Sequence, residues 1–559
     1  MEKQRRNVRV YCSNTGHYHD IPIGSTLEEI FPMISPSGLT GTITNAKVNN
    51  VVEDLSYTVF SNKDIEFQDI TSEAGMRVNA RSLFFVMCEA VRDLFGDSCS
   101  LEDETAVASG TYCRLTGDRE VTADVLALLD KRVREYIDMD LPFIKITTHT
   151  EDALKTFEKF GQYDKVQLLK SRKLLYTTYY TLNGYPDYYY GPLLKSTGQI
   201  ANFSLEQFSQ GILLRLPDPK HPNQLLPLVR QDKMLEVIRE QKEWQKIIGI
   251  STIGELNDWC QDKRKVSNVI NVSEALQERK IAMIAQNIQS NSEIRLVLIA
   301  GPSSSGKTTF SKRLSIQLIA AGIKPVPISM DDYFVDREQT PLDEKGNYDF
   351  ESVYALNIPR LQEDLKNLME GKEVELPKFD FLTGKSVPSG NKLTIDEHTV
   401  IVMEGIHGLN PTLTDVIPAS KKYKVFVSAL TTIQLDHHNY IPTSDNRLLR
   451  RIVRDYKYRN YSAEETIRRW PSVLEGESKW IVPWQEEADI MFNSSLVFEL
   501  AGLRTQALPM LETVPENLPE YSEAMRLRKF LGYIQPINTE GLPPTSLLRE
   551  FLGGSTFHY

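Results

Sequence analysis

The stretch that decides the fold is Ile294-Arg-Leu-Val-Leu-Ile-Ala300 followed by Gly301-Pro-Ser-Ser-Ser-Gly306-Lys307-Thr308-Thr309. The first part is an apolar run of the length expected for a buried parallel strand. The second matches GxxxxGK[ST]. Glycines let successive backbone N–H groups curl around phosphate oxygens without a Cβ clash. The helix expected over 307–321 would present its positive N-terminus to the anion. In this pattern Gly301, Ser303, Ser304, Ser305, Gly306 and Thr309 line the phosphates. Lys307 reaches the β- and γ-phosphates, and the Thr308 hydroxyl ligates Mg²⁺.

Outward from this loop, apolar runs recur at 325–329, 399–403 and 424–428, separated by helical stretches. Strand–helix alternation of this kind predicts an α/β fold, a parallel sheet with helices on both faces. Three features refine the chemistry. Ser329-Met-Asp331-Asp332-Tyr-Phe334 puts a carboxylate at a strand's C-terminal edge, where it can take a proton from an attacking hydroxyl. Glu404, closing the run 399–403, stands where a carboxylate would help to hold Mg²⁺. Arg447, Arg450, Arg451 and Arg454 follow helical spacing, so several share a face and could neutralise phosphate charge. A GTPase would need an NKxD string downstream of the loop. The nearest string, Asn62-Lys63-Asp64-Ile65, lies upstream and ends in Ile.

Together these residues resemble the uridine kinase/phosphoribulokinase family over about 293–500. The resemblance implies Asp331 as catalytic base, Asp349 in Tyr348-Asp-Phe350 as a ribose contact, and Phe379 and Phe381 in Lys378-Phe-Asp-Phe381 on the nucleoside side. It implies Arg447 at the acceptor sugar, Arg450 and Arg451 at the phosphates, and Glu404 in the Glu-Gly-Ile segment at the metal. Trp470-Pro471 through Ala488-Asp489 fits the pattern after the arginine helix. One departure concerns the base. Pyrimidine-reading members carry a His shortly after the aromatic segment, whereas here the chain runs Phe381-Leu-Thr-Gly384.

The first half resembles the N-terminal part of threonyl-tRNA synthetase. Residues 1–70, with Ile21-Pro-Ile-Gly-Ser-Thr-Leu-Glu-Glu-Ile-Phe31, look like its TGS module, a β-grasp domain whose helix is capped by Ser25 or Thr26. Lys3, Arg5, Arg6 and Arg9 read as the solvated start of an edge strand. Residues 71–230 look like the editing-type α+β domain. That family carries a His/Cys metal-type cluster, but the aligned positions here are Arg81, Phe85, Tyr189 and Leu193, so the metal ligands are lost. Residues 231–290 read as a helical connector, 291–500 as the kinase-like domain and 501–559 as a C-terminal helical extension.

Composition sets the outer bounds. The 559 residues carry 75 acidic against 64 basic side chains, a formal charge of −11. This argues against a protein that coats nucleic acid non-specifically. Five scattered cysteines fit a reducing cytoplasm rather than a disulfide framework, and the sequence offers no signal peptide and no membrane span. The expectation is therefore a kinase using ATP (or GTP) and Mg²⁺. It would transfer a γ-phosphoryl group to a small-molecule hydroxyl, the 5′-OH of a ribonucleoside. Two alternatives stand beside it: a kinase of a sugar phosphate, and an RNA- or aminoacyl-binding regulator that contacts RNA through residues 1–230 and uses the loop as a nucleotide switch. An oligomer is compatible with either.

Overall fold

The computed structural model describes residues 6–107, 109–229, 231–344 and 346–558. The C-terminal half is organised on a five-stranded, fully parallel sheet. Its order is Lys324–Ser329, Thr399–Glu404, Leu296–Ala300, Lys422–Ser428, Ile490–Asn493. Strand alternation sends side chains into two separate cores. Leu296 and Leu298 point with Ile401 and Met403 towards Leu361, Leu365 and Leu368 of helix Ile358–Met369. Val297 and Ile299 point the other way with Val402, Val425 and Val427, towards Phe310 and Leu314 of helix Lys307–Ala320 and Leu448 and Ile452 of helix Thr443–Tyr458. The central strand is thus apolar on both faces, and helices cover both.

Residues 231–290 form three helices, Asp232–Ile248, Ile253–Cys260 and Lys263–Gln289. They do more than connect. Ile281, Ile284 and Ile288 belong to the same core as the parallel strands, and Arg313 of helix Lys307–Ala320 pairs with Glu274 and Glu278. The C-terminal region adds helices Glu499–Glu512, Tyr521–Leu531 and Arg549–Leu552, with an irregular path between the last two that buries Tyr533, Ile534, Ile537, Leu542, Leu547 and Leu548.

Near the N-terminus a five-stranded mixed sheet has the order His17–Pro22, Asn7–Cys12, Lys63–Asp69, Ile43–Val48, Val51–Glu53. Asn7–Cys12 is therefore an interior strand, not the edge strand its basic start suggested. The edge is His17–Pro22. Lys3 and Arg5 lie outside the described residues. Thr26 caps helix Leu27–Ile34 reciprocally with Glu29. Next come the long helix Glu73–Phe95, a four-stranded antiparallel sheet and a three-stranded one.

The halves meet through the loop 430–442. Gln434 donates to the Asp103 carbonyl at 2.6 Å, the His437 N–H to Asp164 at 2.9 Å, and Asn439 to the Tyr188 carbonyl at 2.9 Å. His438 is buried against Asp187 at 2.8 Å. Lys165, also buried, sits among Asp164, Asp187 and Asp436. Among the described residues no helix is long and apolar enough to cross a membrane.

Candidate active site

The phosphate loop connects strand Leu296–Ala300 to helix Lys307–Ala320 at the sheet's C-terminal edge, where ligands bind in open α/β folds. Two glycines are dictated by space and conformation. A Cβ on Gly301 would lie 2.0 Å from the Val427 carbonyl oxygen, and Gly306 caps the helix at φ +85°. Lys307 folds back so that its ammonium donates to the Pro302 carbonyl at 3.2 Å. Burial pushes its pKa down, while Glu404, Asp331 and Glu550 pull it back up.

Three predicted residues converge here from separate elements. Thr308 Oγ1 donates to Glu404 Oε1 at 3.3 Å, across from the end of strand Thr399–Glu404. Asp331 sits in the single turn Met330–Tyr333, and its own N–H is capped by Ser329 Oγ at 3.3 Å. Burial raises the Asp331 pKa, opposed by Lys307, Arg459 and Arg454. Burial and the neighbouring Asp331 push Glu404 up to about 7. Asp332 is turned elsewhere, accepting the Phe379 N–H at 3.4 Å. The hydroxyl of Thr308 and the carboxylate of Glu404 are the hard oxygen donors that suit Mg²⁺. A divalent cation beside them would also relieve the repulsion between Glu404 and Asp331, so the residues fit the ion.

The arginine helix is arranged differently from the reading that places its side chains over the phosphates. Arg450 is fully buried, and its five N–H groups are all engaged. They bond Glu499 through Nε and Nη2, the Ser304 carbonyl (3.3 Å) and Ser494 Oγ (3.1 Å) through Nη1, and the Ser494 carbonyl (3.0 Å) through Nη2. It has no donor left for a phosphate. Arg447, expected at the sugar, bonds the Ser303 carbonyl at 3.0 Å and grips Glu477 through both terminal nitrogens. Arg451 donates to Ser303 Oγ at 2.9 Å, and burial lowers its pKa to about 10. These three hold the loop from outside. Arg454 and Arg459 share Asp455 and bear electrostatically on Asp331. Arg459 was not singled out in the sequence, because it follows the helix end rather than the repeating spacing.

Phe379 and Phe381, expected on the nucleoside side, lie 5.0 Å apart (ring centroids) and edge-on to each other. Phe334 completes the aromatic cluster at 5.6 Å from Phe379. Asp349 closes a local turn, its Oδ1 accepting the Glu351 N–H at 3.2 Å. Glu351 itself, not predicted, is half-buried near Arg451, Lys307 and Arg447, and desolvation of its carboxyl pushes it up to about 7. Glu550 was also unforeseen. It comes from the last helix and accepts from both the N–H (3.2 Å) and the hydroxyl (2.6 Å) of Thr309. No sequence signal marks it, since it lies 241 residues downstream of its partner.

In the N-terminal half, the four positions singled out from the sequence make packing and backbone contacts. Phe85 and Tyr189 have ring centroids 5.6 Å apart, Leu193 is buried, and Arg81 donates to the Pro192 carbonyl at 3.0 Å.

A phosphate-cradling loop, a lysine and a carboxylate at the strand edge define a phosphotransferase acting on a hydroxyl acceptor. The family and sequence comparisons agree. The phosphoribulokinase/uridine kinase family matches residues 296–500. The uridine kinase of Ureaplasma urealyticum is 32% identical over 181 residues, covering 32% of this chain and 77% of that one. The uridine kinase of Staphylococcus aureus is 30% identical over 221 residues, 38% of this chain and 96% of that one. A solved structure of a possible uridine kinase from Bacillus stearothermophilus aligns at 20% identity over 38% of this chain and 98% of that one, with a TM-score of 0.26. The chain belongs to the phosphoribulokinase/uridine kinase family, and the matched part is its C-terminal region.

Proposed function

We propose that the protein is a nucleoside kinase, transferring the γ-phosphoryl group of ATP or GTP to the 5′-hydroxyl of a ribonucleoside. The observation that carries this is the convergence of Lys307, Asp331 and Glu404, from three separate elements, within mutual electrostatic reach. In this reading Lys307 and the loop amides hold the triphosphate. Asp331 orients the acceptor hydroxyl and takes its proton, a role suited to a carboxylate whose pKa is raised. Thr308 and Glu404 would hold Mg²⁺, which when bound neutralises charge on the phosphate oxygens. Arg454 and Arg459 supply positive charge beside Asp331. Arg447, Arg450 and Arg451 are positioning residues that fix the loop through Ser303 and Ser304. Phe379 and Phe381 form a stacking surface for a base, and Asp349 contacts the ribose from its turn.

The test is a coupled assay of ADP release with ribonucleosides, deoxyribonucleosides and sugar phosphates as acceptors. Turnover confined to ribonucleosides is expected. Turnover with a sugar phosphate alone would replace the nucleoside assignment by a phosphoribulokinase-like one.

A further inference from the structure

Thr309 is the third residue of helix Lys307–Ala320, so its backbone N–H is one of the donors a helix leaves unpaired at its start. In a phosphate loop such donors cradle the α- and β-phosphates. Here one carboxylate oxygen of Glu550 takes both the N–H and the hydroxyl of Thr309, in a side chain only 9% exposed. A carboxylate and a phosphate compete for the same two donors, and both are anions. The Glu550 charge also reaches further into the site. It helps to hold up the Lys307 ammonium and to push up Glu404.

The segment carrying Glu550 is firmly seated. Leu547, Leu548 and Phe551 are buried without exposure. Leu547 rests on Gly306, where a Cβ would come within 2.5 Å of it. Phe551 lies 4.9 Å beneath the Arg450 guanidinium, and the Leu552 carbonyl accepts from Lys457. These anchors fix the backbone and leave the Glu550 side chain as the part that can move. We propose that Glu550 is a built-in competitor of the nucleotide: its carboxylate occupies the phosphate-binding donors of Thr309 and turns aside, about its own side-chain bonds, when a triphosphate binds. The inference rests on the kinase reading above.

The experiment measures binding of the β,γ-imido analogue of ATP, with Mg²⁺, to the full-length wild type, Glu550→Gln, Glu550→Ala and Lys307→Ala by calorimetry. Removing the competing charge should tighten binding about tenfold in both Glu550 variants, the size of one lost charge-assisted hydrogen bond. A purely structural cap gives the opposite sign, with weaker binding and a lower melting temperature for alanine, and near wild-type behaviour for glutamine. Unchanged or weakened binding in Glu550→Gln overturns the proposal while leaving the kinase reading intact. Absence of binding in the wild type and all variants, or equal binding by wild type and Lys307→Ala, overturns the kinase reading itself and the proposal with it. A wild-type structure with the analogue bound decides independently of any variant's folding. A phosphate oxygen on the Thr309 N–H with Glu550 turned away is expected, and Glu550 still on Thr309 beside the bound triphosphate refutes the idea.

Discussion

Arg450 and Glu499 form an enclosed ion pair beneath the phosphate loop, with Arg450 Nη2 2.7 Å from Glu499 Oε2 and both side chains out of solvent. The same guanidinium holds the Ser304 carbonyl, so the shape of the loop depends on a buried charge pair. Removing one partner of such a pair leaves the other charge buried and uncompensated, which costs about 3–5 kcal/mol. Arg450→Ala should therefore lower the melting temperature and lose activity with the fold. Arg450→Met combined with Glu499→Leu, which removes both charges, should recover much of the stability. Thermal melts of the single and double variants check this, and a stable but inactive Arg450→Ala would instead return Arg450 to the phosphates.

Arg454 offers the contrast. Among the described residues it bonds its neighbour Asp455, at 2.9 and 2.8 Å, while its charge bears on Asp331. Arg454→Ala should leave the melting temperature within a few degrees and reduce kcat by roughly 10²-fold, in the range seen when one charge-stabilising donor is removed. Steady-state kinetics beside a melt separates the two arginines.

Lys307→Ala and Asp331→Asn should each reduce turnover by at least about 10²–10³-fold with the fold intact. They should fail at different stages. Lys307→Ala should weaken triphosphate binding, whereas Asp331→Asn should bind the triphosphate normally and stall at transfer. Full activity in purified Asp331→Asn would remove it as the base.

These assignments also show what the sequence could convey. The phosphate loop was legible because its chemistry restricts residue types: only glycine suits φ +85° at position 306 or the 2.0 Å approach at position 301. Alternating apolar runs revealed the parallel sheet for the same reason, since its strands are buried on both faces. The arginine helix was legible as a helix but not in its orientation. Spacing puts Arg447, Arg450, Arg451 and Arg454 on neighbouring faces, yet which face meets the loop depends on Glu477, Glu499 and Ser494, which lie far along the chain. Glu550 lacked any local pattern, because its partner is set by the tertiary path of the last fifty residues. The basic start of Asn7–Cys12 misled for a related reason: charge suggested an edge, but pairing on both sides is fixed by residues 17–22 and 63–65.

Glu404 gives a pH dependence. Its carboxyl is pushed up to about 7 by burial and Asp331, and a metal must displace that proton before it can be ligated. The apparent Mg²⁺ affinity should therefore rise as pH increases from 6 to 8 and level off above that. Rates measured against Mg²⁺ concentration at each pH report it. Glu404→Gln should flatten the dependence along with the loss of activity, and an affinity independent of pH in the wild type would take Glu404 away from the metal.

Glu351 makes the last prediction, on stability. Burial raises its pKa from 4.5 to about 7 in the folded protein, against the pull of Arg451, Lys307 and Arg447. A carboxyl raised on folding binds its proton more tightly in the native state, so its contribution is greatest below the unfolded value of 4.5. It is lost as pH rises towards 7. The nucleotide-free wild type should accordingly lose stability between pH 5 and 8 relative to Glu351→Gln, by at most about 3 kcal/mol. Paired urea melts at the two pH values measure the difference. A wild type that gains on the variant as pH rises would mean that Glu351 is held charged by the arginines of the site. It would then act as a further fixed partner of the loop-holding cluster rather than as a neutral group packed against Gly476.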